Sequence, residues 1–359
     1  MKVAWSPPDL KIEDENALIR VIRSGWLSDG KETESFEKEI AQYTGAKHVI
    51  VVNNGTSALI ASLLAEGISK DDEVIVPSFT FIAPVNSILV IGAKPVLVDC
   101  DLETFNITLE KVKEKLTERT RAIIFVDVSG MANDIDLFRE LAKEHNLVLI
   151  EDAAQAIGGE YKDRKIGSFG HTTIFSFHMA KPITTIEGGC VLTNNDNVAR
   201  KIRMIKNHGM QAKYDYGFLG LNFKITDIQS ALGRSQLKRL DYFIEKRNKL
   251  VEKYKKGLKN CRFQEIPDYV TKHPYMLFGV LVDEDIRDDL NKYLNNNGID
   301  TRICWLPAHR QEYHKTIFSN ENLPNSEKIS SQIINLPIGN GLSDEEVDYV
   351  INTFNKYFL

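Results

Sequence analysis

The chain has 359 residues, 43% of them hydrophobic and 26% charged, more than one compact core usually organises, so two domains are expected and disorder is excluded. Its 45 Lys and Arg against 50 Asp and Glu give a formal net charge of -5, without the basic excess that nucleic-acid binding needs. No stretch approaches the roughly 18 apolar residues of a membrane span and no signal-peptide core stands at the N-terminus, so the expected location is cytoplasmic.

Pro7-Pro8 marks an extended entry, and Leu18, Ile19 and Ile22 at helical spacing predict a helix over residues 14–24. A loop, Trp26-Leu27-Ser28-Asp29-Gly30, separates it from a charged amphipathic helix over 32–44. His48-Val49-Ile50-Val51-Val52 reads as a strand running into Asn53-Asn54-Gly55-Thr56-Ser57 and an apolar helix over 58–65. Strand, glycine turn and helix in that order aim backbone N–H groups and a helix dipole at an anion, although most such sequences are only helix caps. A strand over 72–77 follows and ends at Ser78-Phe79-Thr80-Phe81; then come a helix over 86–91 and strands over 95–99 and 121–126. This β-α alternation predicts an α/β fold with a doubly wound, largely parallel sheet.

Asn133-Asp134-Ile135-Asp136 is placed to cap a helix leading to His145, and Leu147-Val148-Leu149-Ile150 has the length and β-branching of a buried parallel strand. Glu151-Asp152 stands where that strand ends, the position at which open α/β sheets bind ligands. A further strand, 172–177, delivers Ser176, His178 and Lys181 in close succession, and Gly188-Gly189 allows a sharp turn into a strand over 190–192. Residues 198–206 alternate Arg and Lys with apolar residues, as on a solvated helix face, and a loop over 207–224 is long enough to be functional or intersubunit. Thr226-Asp227 caps a long helical region that continues to about Tyr254 and connects two domains, 1–240 and 241–359. The second mixes a strand over 275–282 with helices over 286–296 and 344–354, the last opened by a capping box of Ser343 and Glu346, and reads as a smaller α+β unit. Cys100, Cys190, Cys261 and Cys304 follow no metal-finger or CxxC spacing, and the eight histidines form no HExxH pair, so reduced thiols and no metal site are expected.

Taken singly, these residues have ordinary readings: a solvated lysine, an acid that caps a helix. Their ordered set does not. EDAAQAIG from Glu151, SFHMAK ending at Lys181 and EGG from Glu187, with SGWLSDG, NNGTSAL, PSFTFIAP and GLNFKITDIQSALG elsewhere, resembles the DegT/DnrJ/StrS family of sugar aminotransferases, a branch of the fold type I pyridoxal phosphate (PLP) enzymes, over nearly the whole chain.

The resemblance implies a PLP-dependent aminotransferase that moves an amino group from an amino acid, expected to be glutamate, to a nucleotide-linked keto sugar. Lys181 would be the Schiff-base lysine, which needs a pocket that lowers its pKa, and Asp152 would keep the ring nitrogen protonated. Gln155, one helical turn on, would meet the ring hydroxyl, while Gly55, Thr56 and Ser176 would hold the phosphate. By the resemblance Phe81 stacks on the ring and Asn222 reaches the phosphate of the neighbouring subunit, which implies a homodimer. Candidate substrate contacts are Trp26, His178, Glu187, His309 and Arg310, each of which reads equally as a structural or surface residue.

Three departures stand out: Asp127-Val128-Ser129-Gly130 where relatives often carry a histidine and an aromatic residue, and Ile186 and Pro182 where they often show other residues, commonly glycine in place of Ile186. A sugar dehydratase of the same family carries histidine in place of the lysine, so Lys181 argues against it. A carbocyclic ketone as acceptor, as in aminocyclitol formation, stays open, and a PLP-binding regulator would need a fused DNA-binding domain.

Overall fold

Seven of the short apolar runs form one sheet in the computed structural model, which describes residues 1–359. In spatial order they are His48–Val52, Gly189–Thr193, Thr172–Ser176, Val148–Asp152, Thr120–Val126, Glu73–Pro77 and Lys94–Val98. The five from Thr172–Ser176 to Lys94–Val98 are parallel, whereas Gly189–Thr193 runs antiparallel to both neighbours. Its connection from Thr172–Ser176 carries no helix, and a parallel crossover usually needs one.

Neighbouring residues of each strand leave on opposite faces. Ile50, Val74, Ile124, Ile150 and Ile174 enter one apolar layer; Val51, Ile75, Phe125, Leu149 and Phe175 enter the other. Gly55–Ala65, Ala83–Val90 and Asp196–Ile205 cover the first face, and Lys31–Thr44 and Ile135–Glu144 the second. With both faces covered, each fully buried Val, Leu or Ile contributes about 1.5–3 kcal/mol relative to exposure. This is the doubly wound, largely parallel α/β architecture expected from the sequence.

The C-terminal part builds its own core on a small antiparallel sheet of Arg262–Phe263, Phe278–Leu281 and Ile333–Leu336. The long helical region expected from Thr226 consists of two helices, Asp227–Leu237 and Leu240–Gly257. The second serves both cores: Leu240, Phe243 and Ile244 pack under the large sheet, and Leu250, Val251 and Tyr254 under the small one. The first residues of the chain also join the C-terminal core, through Val3 beside Ile299 and the Trp5 carbonyl that accepts from Ile338 N at 2.9 Å. We therefore propose that the division between the units runs through Leu240–Gly257, close to the expected boundary at residue 240, with the N-terminal segment returning to the smaller unit.

Several local expectations change. Asp134 precedes Ile135–Glu144 but makes no side-chain cap; it accepts from the Tyr161 hydroxyl at 2.5 Å instead. Lys206 is not on a solvated face: it is buried, 3.2 Å from Asp29 and 3.5 Å from Glu37, and donates to the Val51 carbonyl at 3.2 Å. It thereby ties the loop before Gly30 to the sheet. The capping box of Ser343 and Glu346 forms at the start of Asp344–Lys356. No helix is long and apolar enough to cross a membrane.

Candidate active site

The strands ending at Val52, Pro77, Asp152 and Ser176 deliver their loops to one edge of the sheet, where they enclose a cleft of about 800 Å³. Gly55, Thr56, Phe81, Asp152, Gln155, Ser176, His178, Lys181 and Glu187 all line it. The sequence predicted each of them as a site residue, and the fold brings these nine together. Part of the wall comes from segments distant in the chain, through Trp5, Met276, Leu277, Cys304 and Trp305. These five sit in loops whose approach to the sheet depends on how the two cores pack.

Asp152 is the last residue of its strand and is buried. Burial pushes its carboxyl up to about 6, against the opposing pull of Ala154 N, which donates to Oδ1 at 3.1 Å, and of the Lys181 charge. Lys181 follows a tight turn in which its own N–H donates to the His178 carbonyl at 2.9 Å. Burial lowers its amine to about 8, opposed by the negative potential of Asp152, Cys304 and Glu187. An amine held nearer neutrality is a usable nucleophile and base.

Beside this pair the helix Gly55–Ala65 begins three residues earlier than expected, so the glycine is its first residue. Asn54 Oδ1 accepts from Ser57 N at 2.8 Å, while the N–H groups of Gly55 and Thr56 lie in the first turn, where no intrahelical acceptor exists. Ser176 stands against them: a Cβ on Gly55 would sit 3.2 Å from Ser176 Cβ and 3.5 Å from its Oγ. Gly189 is required for another reason than the expected sharp turn. A Cβ there would lie 2.7 Å from Asn54 C and from Gly55 N, so the glycine lets the antiparallel strand run directly under the turn that opens the helix.

Phe81 presents its ring to the cleft and is 55% exposed. Gln155 is buried, its Oε1 accepting from Ser129 N at 3.0 Å. Thr80 Oγ1, in a residue that lines the cleft, is buried without any hydrogen-bond partner. At the mouth His178 Nε2 lies 3.7 Å from Glu187 Oε1. Between them Ile186 adopts φ 73°, unusual for a β-branched residue and a conformation suited to glycine. Thr184 Oγ1 holds it by accepting from Ile186 N at 2.8 Å.

Four predicted residues do not line the cleft. Trp26 is 62% exposed, its Nε1 donating to the Asp29 carbonyl at 3.3 Å. Asn222 is exposed on the long loop, bridged to Asn207. Cys304 and Trp305 reach the cleft, whereas His309 and Arg310, a few residues on, do not. His309 is buried between Ser78 Oγ, 2.8 Å from Nδ1, and Glu327 Oε1, 3.0 Å from Nε2, so both ring nitrogens are engaged. Arg310 is exposed and pairs with the same Glu327 at 2.7 Å.

The model of the DegT/DnrJ/EryC1/StrS aminotransferase family matches residues 8–355. Among solved structures, DesV of S. venezuelae, in complex with a ketimine intermediate, superposes with a TM-score of 0.94 at 32% identity, covering 99% of this chain and 98% of that one. PseC of Helicobacter pylori, an aminotransferase involved in pseudoaminic acid biosynthesis, gives 0.94 at 30% identity, covering 100% and 99%. The putative sugar aminotransferase Spr1654 of Streptococcus pneumoniae, in its PLP form, gives 0.93 at 28%, covering 99% and 98%. The nine residues gathered at one sheet edge and a match across almost the full length agree, and the chain belongs to the DegT/DnrJ/EryC1/StrS aminotransferase family.

Proposed function

We propose that this PLP-dependent aminotransferase transfers an amino group from an amino acid, with glutamate as the donor, to a nucleotide-linked keto sugar. The observation that carries the reading is the pairing of buried Asp152 with half-buried Lys181 in one cleft, in a chain matched by sugar aminotransferases.

The donor set fits PLP. The N–H groups of Gly55 and Thr56 with Ser176 Oγ make a cradle for its phosphate, and Phe81 offers a face for its ring. Gln155 stands by for the ring hydroxyl, and the orphaned Thr80 Oγ1 supplies a further polar atom in the same wall. When bound, PLP supplies the electron sink that lets the donor's amino group leave its carbon. Asp152 would hold a proton on the ring nitrogen, stabilised there by its burial beside few other charges. Lys181 would hold the cofactor covalently and, once displaced, move a proton between donor carbon and cofactor, a task suited to an amine held near 8. His178 and Glu187 at the mouth would orient the substrate.

A homodimer is part of the proposal. Asn222 lies outside its own cleft, on a loop that leaves Tyr214, Tyr216 and Leu219 exposed, as a surface covered by a second copy would. Asn222 would then complete the partner's phosphate site.

Borohydride reduction of the PLP-loaded protein followed by peptide mapping should label Lys181; a label elsewhere sinks the assignment. A panel of dTDP-, UDP- and GDP-linked keto sugars, scored by amine formation with glutamate, should yield one good acceptor. Preference for a carbocyclic ketone over every nucleotide sugar would overturn the acceptor class. Mixing Lys181→Ala with Asn222→Ala subunits should restore one site per mixed dimer, and no recovery despite demonstrated exchange would refute the shared site.

A further inference from the structure

Arg247 is the only fully buried arginine of the molecule, 1% exposed in the helix Leu240–Gly257 that serves both cores. Both its acceptors are neutral. Nε donates to Asn340 Oδ1 at 2.7 Å and Nη1 to the Tyr275 carbonyl at 2.9 Å, and it has no carboxylate partner. Burial lowers its pKa to about 10, which leaves it cationic at neutral pH. A guanidinium taken out of water without an anion is costly, so packing alone is a poor reason to keep one here.

The two bonds hold the cleft from two directions. Asn340 Nδ2 donates to the Pro182 carbonyl at 2.7 Å, and Pro182 directly follows Lys181. Because Arg247 occupies Oδ1, the Asn340 amide has a single orientation, with its N–H₂ toward Pro182. Tyr275 leads into Met276 of the cleft wall; Met276 N donates to the Ser129 carbonyl at 3.0 Å, and Ser129 N to Gln155 Oε1 at 3.0 Å. A planar guanidinium can span both directions with fixed geometry where a lysine cannot.

We propose that Arg247 is a positioning residue for amino transfer, setting the backbone at Lys181 through Asn340 and the wall of Met276 and Gln155 through Tyr275. The inference rests on Lys181 as the covalent cofactor lysine. Misplacing a reacting group by about 1 Å costs on the order of a hundredfold in rate, which is the effect available to such a residue.

Asn340→Asp tests it on the PLP-loaded enzyme. The variant keeps the size of the side chain and gives Arg247 an anion, which should hold or raise Tm, but it faces the Pro182 carbonyl with a lone pair in place of an N–H. The expected result is a kcat at least about tenfold lower with KM for the donor within about twofold, and less cofactor reducible onto Lys181 by borohydride. Arg247→Lys, with its charge kept and its fork lost, should show the same split. Lys246→Ala removes a 2.5 Å contact to the Asn340 carbonyl and leaves the amide in place, so it should keep wild-type kcat. Asn340→Asp with kcat and labelling both within about twofold of wild type overturns the proposal, as does an equal loss in Lys246→Ala. Should Asn340→Asp fail to fold, Arg247→Lys decides: kcat per folded molecule equal to wild type overturns it, and a tenfold loss at unchanged KM supports it. Wild-type protein labelled at another lysine would instead refute the role of Lys181, a failure visible without any substitution.

Discussion

Glu151 and Asp152 are neighbours on one strand, both shielded from water, and their side chains leave on opposite faces of the sheet. Asp152 opens onto a cleft with Lys181 as its cation. Glu151 enters a closed interior, where Thr173 Oγ1 donates to its Oε2 at 2.8 Å and His171 Nε2 lies 2.9 Å from the same oxygen. Its other oxygen, and Asp127 Oδ2 facing it, have no other donor. Two facing carboxyls are both satisfied only by sharing a proton. Burial, and then the charge of Glu151, holds the Asp127 carboxyl well above the usual carboxylate range, and burial raises Glu151 to about 7. Both neighbours are thus buried acids with raised pKa values, and only one has the means to act. An open face and a base beside it, rather than the shift itself, distinguish a catalytic candidate.

The sharpest way to break this comparison is to neutralise each acid in turn. Asp152→Asn should keep the cofactor and lose roughly 10²- to 10³-fold in kcat, about 3–4 kcal/mol of barrier, because an amide cannot hold the ring proton. Steady-state turnover near wild type would place the working acid elsewhere.

A smaller effect is expected from the floor of the cradle. Gly189→Ala places a methyl 2.7 Å from the Asn54 and Gly55 backbone, and overpacking of that kind costs about 1–3 kcal/mol. Titration with PLP should show affinity reduced by about tenfold or more. Unchanged affinity would mean that the turn at Gly55 does not carry the phosphate.

Smallest in rate is Glu151→Gln, which imitates the protonated acid and should leave kcat within about threefold of wild type. Its signature is in stability. The folded pKa of Glu151, about 7, lies above its ordinary value of 4.5, so the folded state holds a proton that the unfolded state releases. The stability contributed by the carboxyl is therefore complete below about 4.5 and is lost as pH rises through about 7. Tm of wild type relative to Glu151→Gln should fall across that window, and parallel Tm curves would show that the proton is not there.

Much of the site was legible because it follows strand ends. Asp152, Ser176 and Gly55 each stand within three residues of an apolar run whose period and β-branching mark it as a strand, and the carboxyl end of a parallel strand is a local, directional feature. Phe81, Gln155 and Lys181 were assigned their roles by resemblance, and the fold supplies the shared cleft. The mistaken expectations share one cause. Lys206 looked like one of a row of solvated cations, and His309 like a polar residue facing ligand, since charge patterning along a segment says nothing of which buried acceptors another segment brings up to it.

The amino-acid sequence by itself determined the alternation of strands and helices, the two cores and the acid at the strand end, because periodicity, glycine placement and strand ends act over a few residues. Tertiary structure alone decided that Glu151 and Asp152 part company, that Gly189 is needed for a backbone 2.7 Å away, and that Trp5, Met276 and Trp305 complete the cleft. It alone joined Arg247 to Pro182 through Asn340, residues 65 and more positions apart in the chain. Contacts of that range depend on how two cores settle against each other, and no local preference encodes them.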